Sequence, residues 1–265
     1  MARILHLSDL HAVAAGTRAS GVLDTNALLR AAIDALSERL PAIGPIDAVL
    51  VTGDISDDGS ADSYAIARAE LARLGLPMFV IPGNHDRRAA FREAFADTTP
   101  MPEDGPLDWV ADVAETRIIG LDTLVEGQGG GRLQARSLDH LAKELDQSEG
   151  QPVVVALHHP PLRTGIRFMD AIGLENAEAL EGILRRHDGS LRVLAGHVHG
   201  VYHAMLGGHP VVTAHSTCSA FAFDRRREAP VGFMLGPLGF GVLDTAPGGV
   251  WTACPLAMGD GPYGF

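Results

Sequence analysis

The chain has 265 residues, 46% of them hydrophobic, with 33 acidic against 21 basic side chains and a formal net charge of −12. That length and apolar content suit one large globular domain able to bury a full core. The acidic balance argues against a sequence-independent nucleic-acid surface, which needs a basic footprint, and no apolar run approaches the ~20 residues of a membrane span.

In chain order, Arg3–Leu7 reads as a strand, and the stretch "MARILHLSDLH" lacks the features of a signal peptide. Leu28, Leu29, Ala32, Ile33, Leu36 and Leu40 recur at helical spacing and predict a helix over 26–40. Asp47–Val51 is a short buried strand, 62–74 a helix, Pro77–Ile81 a strand and Arg87–Phe95 a helix. "GQGGGR" (127–132) reads as a flexible surface loop. Thr116–Leu121 is a strand, and Ser137–Asp146 a helix with Ser137 as its N-cap. Pro152–Leu157 and Leu191–Ala195 are strands separated by a helix near Asn176–Arg186. This alternation predicts a layered α/β fold. Beyond Gly200 the pattern shifts to a hairpin around Gly207-Gly208 and short strand-like runs such as Phe240–Leu243, with a loosely held tail "GDGPYGF". The expected division is a core over 1–200 and a β-rich extension over 201–265 packed on it. Only Cys218 and Cys254 are present, matching neither a disulfide framework nor a CxxC site. A reduced cytoplasmic protein is the expectation, with one bridge between them as the alternative.

Polar residues gather just after the predicted strands: Asp9 and His11, then Asp54, then Asn84, His85 and Asp86, then His158 and His159, then His197 and His199. Ligand sites in α/β sheets lie beyond the carboxyl ends of strands, so the five groups are expected to converge. Residues two apart on a strand point the same way, and "GHVHG" presents two imidazoles in that manner; a polar strand end meeting water is the blander reading. Asp and His suit Mn, Fe or Zn, and the set includes no thiolate. His6 reads as a hydrogen-bonded core residue, and His140, His187, His203 and His209 as surface residues. Asp57 is either an outer partner of the cluster or part of the turn "SDDGS".

In this order, D-x-H, GD, GNHD, HH and GHxH resemble the calcineurin-like metallophosphoesterase superfamily, from Asp9 to His199. The resemblance implies a four-layer αββα sandwich with two divalent or mixed-valence metal ions. It assigns Asp9, His11, Asp54 and His199 to the first ion and Asp54, Asn84, His158 and His197 to the second, Asp54 bridging. His85 corresponds to the family histidine that contacts the phosphate and protonates the leaving group. Asp86 either orients His85 or caps the following helix, and His159 is expected to face away. "HHPPLRTGIRFMDAIGLENAEAL" and "TAHSTCSAF" further resemble class III cyclic-nucleotide phosphodiesterases and bacterial glycerophosphodiesterases. His215, where a proline is common, and "MLGPLGF" depart from that pattern. The implied activity is hydrolysis of a small-molecule phosphodiester by metal-bound hydroxide, with Met169 and Asn176 lining the pocket by analogy. The alternatives are a phosphomonoesterase or nuclease on the same metals, and a non-catalytic scaffold. The segment after His199, with Phe221, Phe223, Phe233 and Met234, is expected to form a pocket wall or a homodimer interface.

Overall fold

Short chain segments that are apolar on both faces build two sheets here, and amphipathic helices cover them. The computed structural model describes residues 1–148 and 150–257. The first half runs β1 (Arg3–Leu7), α1 (Thr25–Ile43), β2 (Ala48–Val51), α2 (Ala61–Ala72), β3 (Met78–Val80), α3 (Arg88–Phe95), β4 (Trp109–Val113), β5 (Thr116–Leu121) and α4 (Ala135–Asp146). The second half runs β6 (Val153–Leu157), α5 (Arg167–Asp170), α6 (Ala177–Leu184), β7 (Leu191–Ala195), β8 (His203–Leu206), β9 (His209–Thr213), β10 (Gly239–Asp244) and β11 (Trp251–Pro255).

One sheet has the order β11-β10-β1-β2-β3 and the other β4-β5-β6-β7-β9-β8. The strands β1, β2 and β3 are parallel, as are β5, β6, β7 and β9. Strands buried on both faces read as unbroken apolar runs, which is why "AVLV" and "VVVAL" sit centrally. Alternate side chains sort to opposite faces. Leu5, Leu7, Val49 and Val51 pack with Leu29, Ile33, Tyr64, Phe91 and Phe95 from the helices α1 to α3. Ile4, Ala48 and Leu50 meet Ile118, Val154, Ala156, Leu194 and Val212 between the sheets. Ile119, Val155 and Val193 pack with Leu141, Leu145, Leu180 and Leu184 of α4 and α6. The four layers are therefore α, β, β and α.

Residues beyond 200 contribute strands to both sheets: β9 pairs with β7, and β10 with β1. Four local expectations change. Helix α4 begins at Ala135, and Ser137 is buried inside its first turn, where it serves no cap. His209 is buried, and its Nε2 faces the carbonyls of Leu184 and His187 at 3.0 and 2.9 Å, satisfying the end of α6. The glycine loop is tied down: Gly131 bridges Leu174, and Gly129 O accepts from His159 Nε2 at 3.0 Å. A Cβ at Gly131 would collide with the His159 ring, so the glycine is there for close approach. Strand β4 and the single-turn α5 went unforeseen, the former because "WVADV" carries polar residues at an edge. The tail at 259–265 lies outside the described residues.

Candidate metal centre

Every group of polar residues lies at the same end of the two sheets, past the carboxyl ends of β1, β2, β3, β6 and β7. The turns there are tight and costly. Asp9, His11, Asp54, His197 and His199 all have positive φ, between 47° and 71°, a region that non-glycine residues enter at on the order of 1–3 kcal/mol each. The glycines beside them serve close packing as much as turning. A Cβ at Gly83 would strike the Asp54 carboxylate, and one at Gly196 would strike Ser8 and the Thr52 carbonyl.

The outer hydrogen bonds set the tautomer of each ring. His158 Nδ1 lies 2.7 Å from Thr52 O, and His197 Nε2 lies 3.0 Å from Ile172 O. A carbonyl only accepts, so these nitrogens carry protons, and in the neutral rings His158 Nε2 and His197 Nδ1 present lone pairs. Both point at Asn84 Oδ1, 3.1 and 3.0 Å away, and His158 Nε2 is 3.3 Å from Asp54 Oδ2. On the other side of Asp54, His11 Nδ1 meets Asp57 Oδ1 at 3.0 Å and His199 Nδ1 meets Ser219 Oγ at 2.9 Å. Their Nε2 atoms then face each other at 3.2 Å, with Asp54 Oδ2 3.6 Å from His11 and Asp9 Oδ1 3.5 Å from His199. With those nitrogens deprotonated the facing atoms are all acceptors, and a cation between them would satisfy them in the buried site. The donor set therefore fits two ions, one on each side of Asp54.

The electrostatics divide the rings into two kinds. Burial opposes charge on both Asp54 and His158, but the Asp54 carboxylate sits well below the usual range and raises His158 to about 9, which puts a proton where a cation would take its place. His197 and His199 are pushed well below their ordinary value by burial and by neighbouring imidazoles, so they stay neutral and ready to ligate. Burial, with Asp54 nearby, lifts the Asp9 carboxyl to about 6.

The neighbours are placed less simply. His85 is 40% exposed, stands edge-on to His11 at 4.7 Å, and has Nδ1 3.0 Å from Asp57 O. Its backbone N–H donates to Asp54 Oδ1 at 2.9 Å. Asp86 neither orients His85 nor caps α3. It is fully buried and accepts from the backbone N–H groups of Gly83, Ile55 and Ser56, stitching the Asp54 turn to the Asn84 turn. The carboxylate beside His85 is that of Asp57, 3.5 Å from its Nδ1. His159 does not face away: its ring lies 4.5 Å from that of His197, but both nitrogens are engaged, by Thr123 Oγ1 and Gly129 O, and burial pushes it down to about 3. Asn176 is remote from the cavity and pairs with the Leu133 backbone, through its side-chain oxygen and nitrogen.

The ligands open into a cavity of about 210 Å³. Beyond the ligands its wall is mostly apolar, with Leu23, Phe168, Met169, Ile172, Phe221 and Phe233 beside Ser20, Asp57 and Ser219, and no Lys or Arg among the described residues lines it. Phe221 stacks on His199 at 4.6 Å. Cys218 also lines this cavity and is a free thiol, as is Cys254. The sequence offered no signal for it, since "TCS" has no ligand spacing.

A family model for calcineurin-like phosphoesterases matches residues 2–201. A 3′,5′-cyclic adenosine monophosphate phosphodiesterase of Pseudomonas aeruginosa is 33% identical over 220 residues, covering 83% of this chain and 77% of the relative. A glycerophosphodiester phosphodiesterase of Enterobacter lignolyticus is 32% identical over 200 residues, covering 75% and 71%. Among solved structures, a dimetal phosphatase from Danio rerio superposes with a TM-score of 0.67 at 15% identity, covering 96% of each chain. Among the described residues, no helix is long and apolar enough to cross a membrane.

Proposed function

Since the chain belongs to the calcineurin-like phosphoesterases, we propose that it is a metal-dependent phosphodiesterase favouring diesters with a planar group, as in cyclic nucleotides and aryl esters. The observation that carries this reading is the convergence of buried imidazole nitrogens with carboxylate and amide oxygens on both sides of Asp54. Asp9, His11, Asp54 and His199 would hold one ion, and Asp54, Asn84, His158 and His197 the other. Nitrogen and oxygen donors of this kind suit Mn, Fe or Zn. When bound, such ions supply Lewis-acid polarisation of the phosphate and a water of lowered pKa.

The chain supplies the rest. The carbonyls of Thr52 and Ile172 hold two imidazoles in their ligating tautomers. Asp57 O accepts from His85 Nδ1 and turns Nε2 to the cavity, where in the imidazolium form it carries the proton that goes to the departing alkoxide. Asp86 positions the turns of Asp54 and Asn84 without reaching the cavity. The phenylalanine wall excludes water and offers flat surfaces for stacking. No Lys or Arg among the described residues lines the wall, so nothing there pairs with a second anionic group; its polar side chains beyond the ligands are Ser20, Asp57, His85 and Ser219. The three phenylalanines favour a planar ester group over the flexible glycerol of a glycerophosphodiester.

A hydrolysis panel on metal-reconstituted protein tests the reading, using cyclic AMP, an aryl diester, glycerophosphocholine and an aryl monoester. The expected order is the first two ahead of glycerophosphocholine, with the monoester slowest. Turnover of the monoester alone would move the protein to the phosphomonoesterases, and a fully metallated protein inert on all four would make it a scaffold. Self-association belongs to the same reading, because Phe223, Val231 and Leu235 are exposed on one segment beside the cavity. Sedimentation at several concentrations checks it, and a monomer throughout removes it.

A further inference from the structure

Of the two free cysteines, Cys254 is half-buried on β11, whereas Cys218 is buried in the wall of the metal cavity. Its sulfur and one ring nitrogen each of His11 and His199 lie within 4.8 Å of one another. Metal–sulfur and metal–nitrogen bonds of ~2.3 and ~2.0–2.1 Å place ligand atoms at most ~4.4 Å apart. The 4.8 Å bound exceeds that span by only a few tenths of an ångström.

Two independent features aim the thiol at this point. Nε2 of His11 and Nε2 of His199 lie 3.2 Å apart, with Asp54 Oδ2 and Asp9 Oδ1 at 3.6 and 3.5 Å, so a cation seated among them would lie beside the sulfur. The loop carrying Cys218 is also pinned to the turn carrying Asp9. Ser216 Oγ donates to Asp9 O at 2.7 Å and accepts from the Cys218 backbone N–H at 2.9 Å, and Cys218 Sγ lies 3.5 Å from the same carbonyl. A sulfur wanted only for packing as a small apolar group needs no such tether.

We propose that Cys218 donates a thiolate sulfur to the ion held by Asp9, His11 and His199, biasing that position toward a thiophilic metal. Thiolates select zinc and iron over magnesium and manganese, whereas carboxylates and carbonyls select the reverse. As the sulfur–metal bond forms, the S–H proton leaves to solvent and no oxidation state changes. The inference rests on the two-ion reading of the site and adds one ligand to it.

Cobalt(II) tests it without reference to turnover. The full chain is stripped with a chelator and titrated with cobalt(II) alone, as are Cys218→Ser, Cys218→Ala and Cys254→Ser. The wild type and Cys254→Ser should develop a near-ultraviolet thiolate-to-cobalt charge-transfer band beside the visible ligand-field bands. Both Cys218 variants should lose the first and keep the second. Ligand-field bands without a charge-transfer band in the wild type overturn the proposal alone. A charge-transfer band that survives in the Cys218 variants does the same. No cobalt bound by the wild type overturns it together with the metal site beneath it.

Discussion

The turns carrying Asp9, His11, Asp54, His197 and His199 and the segment from Ala220 to Leu238 line one cavity, but they are held by different forces. The turns are buried, take positive φ, and are fixed by parallel strands behind them and by hydrogen bonds to the backbone. The segment has no strand of its own and is closed by the Ala220–Met234 bridge. It turns Phe221 and Phe233 into the cavity while Phe223, Val231 and Leu235 stay exposed. Strain can be stored where the surroundings over-determine the backbone. It cannot be stored in a segment with few partners. In the proposed function the first region carries the chemistry and the second chooses the ester group.

The largest expected effect breaks the first region. Asp54→Ala removes a donor from each side of the site, so metal analysis should show both ions lost. Turnover should fall by more than the ~10²–10⁴-fold that one general acid is worth. A variant that keeps two ions would remove Asp54 from the bridging position. His85→Ala separates chemistry from metal holding within the same region: metal content stays, and turnover falls by ~10²-fold or more. The loss should be greater on an alkyl diester than on a nitrophenyl diester, because only the poor leaving group needs a proton. Equal losses on the two would assign His85 to phosphate binding.

The second region gives smaller numbers. Phe221→Ala should raise KM for an aryl diester by about two- to tenfold, the size of one aromatic stacking contact of ~0.5–1.5 kcal/mol. The KM for glycerophosphocholine should hardly move, and a parallel change in both would mean that the wall does not discriminate.

The smallest effect concerns the base of the ligand turns. Trp251 Nε1–H donates to His6 Nδ1 at 3.3 Å, so His6 Nε2 carries the proton given to Thr52 Oγ1 at 2.9 Å. Thr52 in turn reaches Ser8, next to Asp9. Burial lowers His6 from 6.5 to about 3. The unfolded chain therefore binds this proton first as pH falls. The contribution to stability is complete above pH 6.5 and is lost as the pH drops toward 3. Imidazole nitrogen shifts measured by NMR should show His6 neutral down to about pH 4, and a titration near 6.5 would dissolve the network.

How much of this was readable in advance follows from the range of the forces involved. Strands β1, β5 and β7 and the order of the polar groups behind them follow from local periodicity and residue chemistry, which need no knowledge of distant partners. A layered α/β fold follows from alternation in the same way, whereas the four-layer αββα arrangement is what the resemblance to the metallophosphoesterases implies. The tertiary structure alone decided which neighbour each polar group meets. Asp86 was weighed against His85 and a helix cap, but its oxygens were claimed by the amides of Gly83, Ile55 and Ser56. The loop at 127–132 is rich in glycine, which suggests freedom, yet packing against His159 consumes it. His209 looked like a surface residue until the end of α6 arrived beside it. Cys218 carries no spacing signal at all. Its place beside His11 arises because Ser216 binds the carbonyl of Asp9, more than two hundred residues away, and hydrogen bonds over that separation are written in the packing of the whole chain.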